Sequence, residues 1–133
     1  MTTPTARAPQ SNPARDYVLG TQSDEAVRLG LQHRLWSAAT HELWERARIQ
    51  PGESVLDLGC GPGHAAMDLA QIVGPTGRVI ALDESATFLK QLHDHAVSRK
   101  FHHIERVLGD VQDLTSVLPG EDEQIDAAYI RWV

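Results

Sequence analysis

The residues best placed to do chemistry lie in one short stretch, Asp57-Leu58-Gly59-Cys60-Gly61-Pro62-Gly63-His64. Three glycines at alternate positions leave main chain uncovered, because a residue without a Cβ takes positive φ readily and lets a ligand lie against the backbone. Ahead of them, Val55, Leu56 and Leu58 form the apolar run of a buried parallel strand; behind them, Ala65-Ala66-Met67-Asp68-Leu69-Ala70 takes up helical spacing. A strand, a tight loop and a helix start offer unpaired N–H groups to the anionic part of a small molecule. Spacing then separates the nucleotide-like ligands. A dinucleotide loop, G-x-G-x-x-G, would place its third glycine at position 64, where this chain has His64; here it falls at Gly63, after Pro62.

Two more acids follow at strand ends. Arg78-Val79-Ile80-Ala81-Leu82 reads as a second strand ending in Asp83, about 20 residues or slightly more past the loop, where a carboxylate can accept both hydroxyls of a ribose. Asp83 could equally start the next helix, for which Ser85 is the better cap. Ile104-Glu105-Arg106-Val107-Leu108 reads as a third strand turning at Gly109-Asp110, which alone would be no more than a turn. The single cysteine, Cys60, has no partner for a disulfide, and packing in a loop that needs small residues explains it better than nucleophilic chemistry. His93, His95, His102 and His103 do not make a metal site: the first two stand two apart on a helix, facing different ways, so these histidines are expected on the solvated surface.

The elements that position these residues follow from pattern and punctuation. Residues 1–16, with Pro4, Pro9 and Pro13, read as a flexible leader. Residues 17–50 read as a helical lid: Ser23 caps a helix with Asp24 and Glu25 in its first turn, and Val27, Leu31 and Leu35 form an apolar face. Trp36, Ala39, Leu43 and Ala47 continue the spacing through a second helix, ended by Pro51-Gly52. Residues 51–133 form the main domain. Its helices run from His64 to about Val73 and along the stripe Phe88, Leu89, Leu92, Ala96, with a short helical segment at 111–118, an acidic turn at Glu121-Asp122-Glu123, and a fourth strand starting at Ile125.

Composition bounds the function. A chain of 133 residues with 41% hydrophobic content makes one domain with a modest core. The net charge of −6 gives no general attraction to a phosphate backbone, so nucleic acid is not an expected partner. No apolar run reaches the ~20 residues that cross a bilayer, and the first residues lack a signal-type segment, so a cytoplasmic location is expected and no membrane contact.

The pattern Asp57-x-Gly59-x-Gly61-x-Gly63, with acids closing the second and third strands, resembles the class I S-adenosylmethionine-dependent methyltransferases. The resemblance implies an α/β fold: a Rossmann-like, doubly wound, mostly parallel sheet with helices on both faces. It implies S-adenosyl-L-methionine as cofactor, with Asp57 facing its ammonium and sulfonium end, Gly59, Cys60, Gly61 and Gly63 forming the main-chain cradle, and Asp83 on the ribose. It further implies the adenine amino group on Asp110 and a ring nitrogen on the Val111 N–H. Glu84 stands where many members have an apolar residue against adenine, which puts that contact in doubt. The segment Arg28-Leu29-Gly30-Leu31-Gln32-His33 is similar to the helical lid of some members, which makes Tyr17, Arg28, Gln32 and His33 candidates for the pocket wall; the polar side of an ordinary amphipathic helix is the alternative.

The expected activity is methyl transfer to a small-molecule acceptor. The alternatives are a cofactor-binding remnant or regulatory module without transfer activity and, less favoured, part of an NAD-dependent oxidoreductase. His33, His64 and Arg131 are candidates near the pocket mouth, and none is assigned a catalytic role. Members of the family carry more strands than this chain supplies, so the sequence reads as a fragment or truncated product, with an open fourth strand prone to self-association.

Overall fold

The computed structural model describes residues 23–118 and 124–131. The expected leader, Tyr17 and the acidic turn 121–123 lie outside the described residues. In chain order the elements are α1 (Ser23–Arg46), β1 (Ser54–Leu58), α2 (His64–Val73), β2 (Arg78–Asp83), α3 (Ala86–Ser98) and β3 (Ile104–Leu108). A single 3₁₀ turn at Val111–Asp113 leads into the short α4 (Leu114–Val117), and β4 (Ala127–Ile130) closes the order.

The lid is one continuous helix of 24 residues, not two. Nothing between Leu35 and Trp36 interrupts it, since the segment from Leu31 to Arg46 contains neither Gly nor Pro. It also ends earlier than Pro51-Gly52. The Ile49 N–H reaches the Trp44 carbonyl and the Arg48 N–H reaches that of Glu45, with Arg48 at φ 58°, which is the double bond and left-handed residue of a Schellman stop. The expected apolar face is reversed: Val27 and Leu35 are 64% and 81% exposed, and Leu31 also faces outward. The buried side of α1 carries His33, Thr40 and Trp44, residues seven and four apart on one helical face.

All four described strands pair in parallel, in the order β3-β2-β1-β4. β1 is central, with Val55 beside Val79 and Ala127, and Asp57 beside Ala81 and Tyr129. The face that carries Val55, Val79, Ala81 and Tyr129 packs against Leu69, Ala70 and Val73 of α2 and Leu89 and Leu92 of α3. α2 and α3 lie together on that face, as right-handed crossovers running in one direction from β1 through β2 to β3 require. Trp44 of α1 joins this core edge-on to Tyr129, 5.2 Å between ring centres. The entry to β4 is pinned to β1 from both sides: the Asp126 carboxylate accepts from the Ser54 N–H and the Asp126 N–H donates to the Ser54 carbonyl, each at 2.8 Å.

Candidate functional site

A cavity of about 310 Å³ opens at the carboxyl ends of β1 and β4. This is the point where strand order reverses, and open α/β sheets bind ligands there. The β1 end and its loop contribute Asp57, Gly59, Cys60 and Gly61; α1 contributes Arg28, Gln32 and His33; α2 contributes His64; β4 and its end contribute Tyr129 and Arg131.

The floor is held from below by Asp83. One carboxylate oxygen accepts from the Gly61 N–H at 2.9 Å and the other from the Ser85 N–H at 2.8 Å, so this buried acid ties the glycine loop to the end of β2. Ser85, as the better cap, takes the Phe88 N–H on its own hydroxyl at the start of α3. Gly63 holds φ 96°, and a Cβ there would stand 2.6 Å from the Leu92 side chain. The third glycine therefore answers to packing between loop and α3. Gly61 differs: it also holds positive φ, 56°, but an added Cβ would meet nothing within 4 Å, so its bare face borders open space in the cavity wall.

Asp57 is the most unusual group present. It is 2% exposed, and its Oδ2 has no hydrogen-bond partner among the described residues. Burial first, and then the negative charge of Asp83, push its carboxyl up to about 8, against the pull of the Arg131 guanidinium. Cys60 is a free, buried thiol pushed well above its ordinary value by burial and by the same two acids, which leaves it unsuited to act as a thiolate.

The wall from α1 is built on a carboxylate that sequence reasoning passed over. Asp68 of α2 accepts from His33 Nε2 at 2.7 Å and from His41 Nε2 at 3.2 Å. Burial raises the Asp68 carboxyl, but the hydrogen bonds from His33 and His41 and their charge outweigh it and hold the group below its ordinary value. Arg131 joins the same wall, donating to Thr40 Oγ1 at 3.0 Å. His64 stacks on His33 with ring centres 5.8 Å apart; burial and the neighbouring His33 and His95 lower its affinity for a proton. Arg28 is paired with Glu25 on its own helix. Asp68 lies four residues after His64 on one helical face, but that spacing alone does not mark it off from a solvated carboxylate. Tyr129 was not among the expected pocket residues, and its place on the cavity follows from the register of β4 on β1.

Of the other expected residues, Glu84 is exposed, and Asp110 is an exposed cap whose side chain accepts from the Gln112 N–H at 2.8 Å, with Val111 opening the 3₁₀ turn behind it. His93, His95 and His102 are exposed, but His103 is not a solvated residue: its Nε2 lies 2.7 Å from the Ala70 carbonyl and its ring packs edge-on to Phe101. Among the described residues no group of three histidines, cysteines or acids could hold a metal ion.

A buried acid with an orphaned oxygen, beside a glycine whose missing side chain leaves open space, suits a ligand that brings positive charge and lies on the main chain. The sequence profile of a methyltransferase domain family matches residues 49–131. The chain belongs to that family. This methyltransferase domain is 40% identical over 112 residues to a 2-phytyl-1,4-naphthoquinone methyltransferase of Trichormus variabilis, covering 84% of this chain and 45% of that protein. It is 28% identical over 122 residues to a demethylmenaquinone methyltransferase of Desulfitobacterium hafniense, covering 87% and 47%. The chain thus spans about half the length of these relatives.

Solved structures agree on the Rossmann-like fold. A SAM-dependent methyltransferase from Aquifex aeolicus superposes with a TM-score of 0.59 at 20% identity, over 68% of this chain and 46% of that one. Coclaurine N-methyltransferase, bound to N-methylheliamine and SAH, superposes with a TM-score of 0.51 at 36% identity, over 55% and 21%.

Proposed function

We propose that this domain binds S-adenosylmethionine in the cavity and forms the cofactor-binding part of an enzyme that methylates a small quinol-type acceptor. The observation that carries the reading is the orphaned Asp57 oxygen next to the uncovered backbone of Gly61. The acceptor class rests on the relatives named for naphthoquinone and menaquinone precursors.

When bound, the cofactor supplies a methyl group already activated by its positive sulfur. The chain then has to hold, orient and exclude water. Asp57 faces the cationic end, whose positive charge draws its raised carboxyl toward the ionised form, and Gly59, Cys60, Gly61 and Gly63 offer main chain to the rest of that end. Asp83, which ties the glycine loop to the end of β2, takes the ribose in this reading. Asp110 and the Val111 N–H serve the adenine, with Glu84 at its rim. The division at residue 50, between a lid region of 17–50 that carries α1 and the domain of 51–133, belongs to the same reading. So do a cytoplasmic location, which suits a lone free thiol, and self-association along β4, which pairs with β1 on one side and exposes Ile130. No helix among the described residues is long and apolar enough to cross a membrane.

Calorimetric titration of the full chain with S-adenosylhomocysteine and with NAD tests the cofactor. Binding of the first and not the second is expected, with the affinity weakened by Asp83→Ala. Binding of NAD alone would overturn the reading.

A further inference from the structure

The pair His33–Asp68 is given no role in the cofactor reading above, and its geometry is specific. His33 is only 8% exposed yet forms part of the cavity wall. Its Nε2 lies 2.7 Å from Asp68 Oδ2, and an Arg131 guanidinium nitrogen lies 3.5 Å from its Nδ1. An arginine nitrogen can only donate, so Nδ1 must present its lone pair and Nε2 must carry the ring proton. A carboxylate that fixes one ring N–H and leaves the other nitrogen as acceptor is the arrangement of an oriented base. Anchoring α1 to α2 does not by itself account for it, because His41 already bonds the same Asp68 oxygen from the same helix. The charged groups around His33 are Asp68 and His64 on α2, Arg131 after β4 and, on the shared cavity, Asp57 of β1 and Arg28 of α1.

We propose that His33 is the catalytic base of the transfer, with Asp68 as its positioning residue; this rests on the cofactor reading above. The acceptor's hydroxyl displaces the Arg131 N–H, whose 3.5 Å contact is at the limit of a hydrogen bond, while Arg131 stays on Thr40; the hydroxyl proton moves to His33 Nδ1, and the O–H electron pair is released into the conjugated ring. A ring carbon of the acceptor forms the bond to the methyl carbon, and the pair of the breaking C–S bond returns to sulfur, which becomes neutral. The proton at the methylated carbon is then lost to solvent while His33 returns its proton to the oxygen, so one proton is released per methyl group moved. Asp68 stabilises the imidazolium in between through Nε2–H.

The test compares the full chain with H33Q and D68N in three measurements. These are calorimetry with S-adenosylhomocysteine, methyl transfer from labelled S-adenosylmethionine to 1,4-naphthalenediol across neutral and mildly alkaline pH, and nitrogen NMR of the His33 ring. H33Q is expected to bind S-adenosylhomocysteine as the parent does, to lose about 100-fold in kcat at neutral pH with KM kept, and to recover as rising pH ionises the diol unaided. D68N is expected to lose less and to release the ring tautomer. A proton on Nδ1 in the parent, an H33Q rate equal to the parent's, or a parent that binds S-adenosylhomocysteine but methylates nothing would overturn the base assignment and leave the cofactor reading standing. So would an H33Q loss that is equal at all pH values and matched by a loss of affinity, which marks a mere lid anchor. A parent that binds no S-adenosylhomocysteine overturns the cofactor reading, and the assignment with it.

Discussion

Gly61 and Gly63 stand two residues apart with positive φ, but a methyl group added to each would meet different surroundings. At Gly63 the left-handed backbone and the Leu92 contact act together, so Gly63→Ala should destabilise the fold by about 2–4 kcal/mol in urea unfolding. At Gly61 only the backbone term applies, about 1–2 kcal/mol, while the new methyl fills the cavity wall; Gly61→Ala should stay folded with a smaller loss of stability than Gly63→Ala yet lose S-adenosylhomocysteine in calorimetry. Asp57 makes a pH prediction. Its carboxyl ionises near 3.8 when unfolded and at about 8 when folded, so across that window the folded chain holds a proton that the unfolded chain has lost. Stability contributed by this group therefore falls as pH rises from about 4 to about 8, and Asp57→Asn should flatten that fall in urea titrations. The glycine loop and its strand were legible from residue type alone, because bare backbone has few substitutes. Asp68 was not, because a carboxylate on a helix looks solvated until the partner helix is in place.

At the scale of elements, α1 shows where periodicity misleads. Val27, Leu31 and Leu35 give a cleaner apolar stripe than His33, Thr40 and Trp44, but the second set is buried. Asp68 bonds His33 and Arg131 bonds Thr40, which offsets the cost of burying these two. Local spacing cannot register partners that are far away in sequence. Trp44→Ala should accordingly cost about 3–5 kcal/mol, whereas Leu35→Gln should stay within about 0.5 kcal/mol, both read from urea midpoints. The strands and α2 were placed nearly residue for residue, since Gly and Pro mark their ends. β4 begins two residues later than expected, at Ala127, because Asp126 is spent on capping the start of β1.

For the whole molecule, the resemblance implied the mostly parallel sheet, the alternating strand and helix patterns agree with it, and the cavity falls where the order β3-β2-β1-β4 reverses at β1. Composition could not say how α1 would lie. Its docking depends on Gly30, where a Cβ would stand 3.2 Å from the His64 ring, and on Trp44 in the core. With β4 at one sheet border and Ile130 exposed, the chain should sediment as a dimer or larger species. Ile130→Lys should shift it toward monomer, and a sharp monomer boundary for the parent chain would refute the association.

The contact between Trp44 and Tyr129 also has a practical consequence. Tyr129 belongs both to the cavity wall and to the ring pair, so whatever enters the cavity perturbs the surroundings of a shielded indole. The chain has three tryptophans, Trp36, Trp44 and Trp132. With the first and last replaced by phenylalanine, the emission colour and lifetime of Trp44 become a label-free optical gauge of occupancy, with no dye to attach.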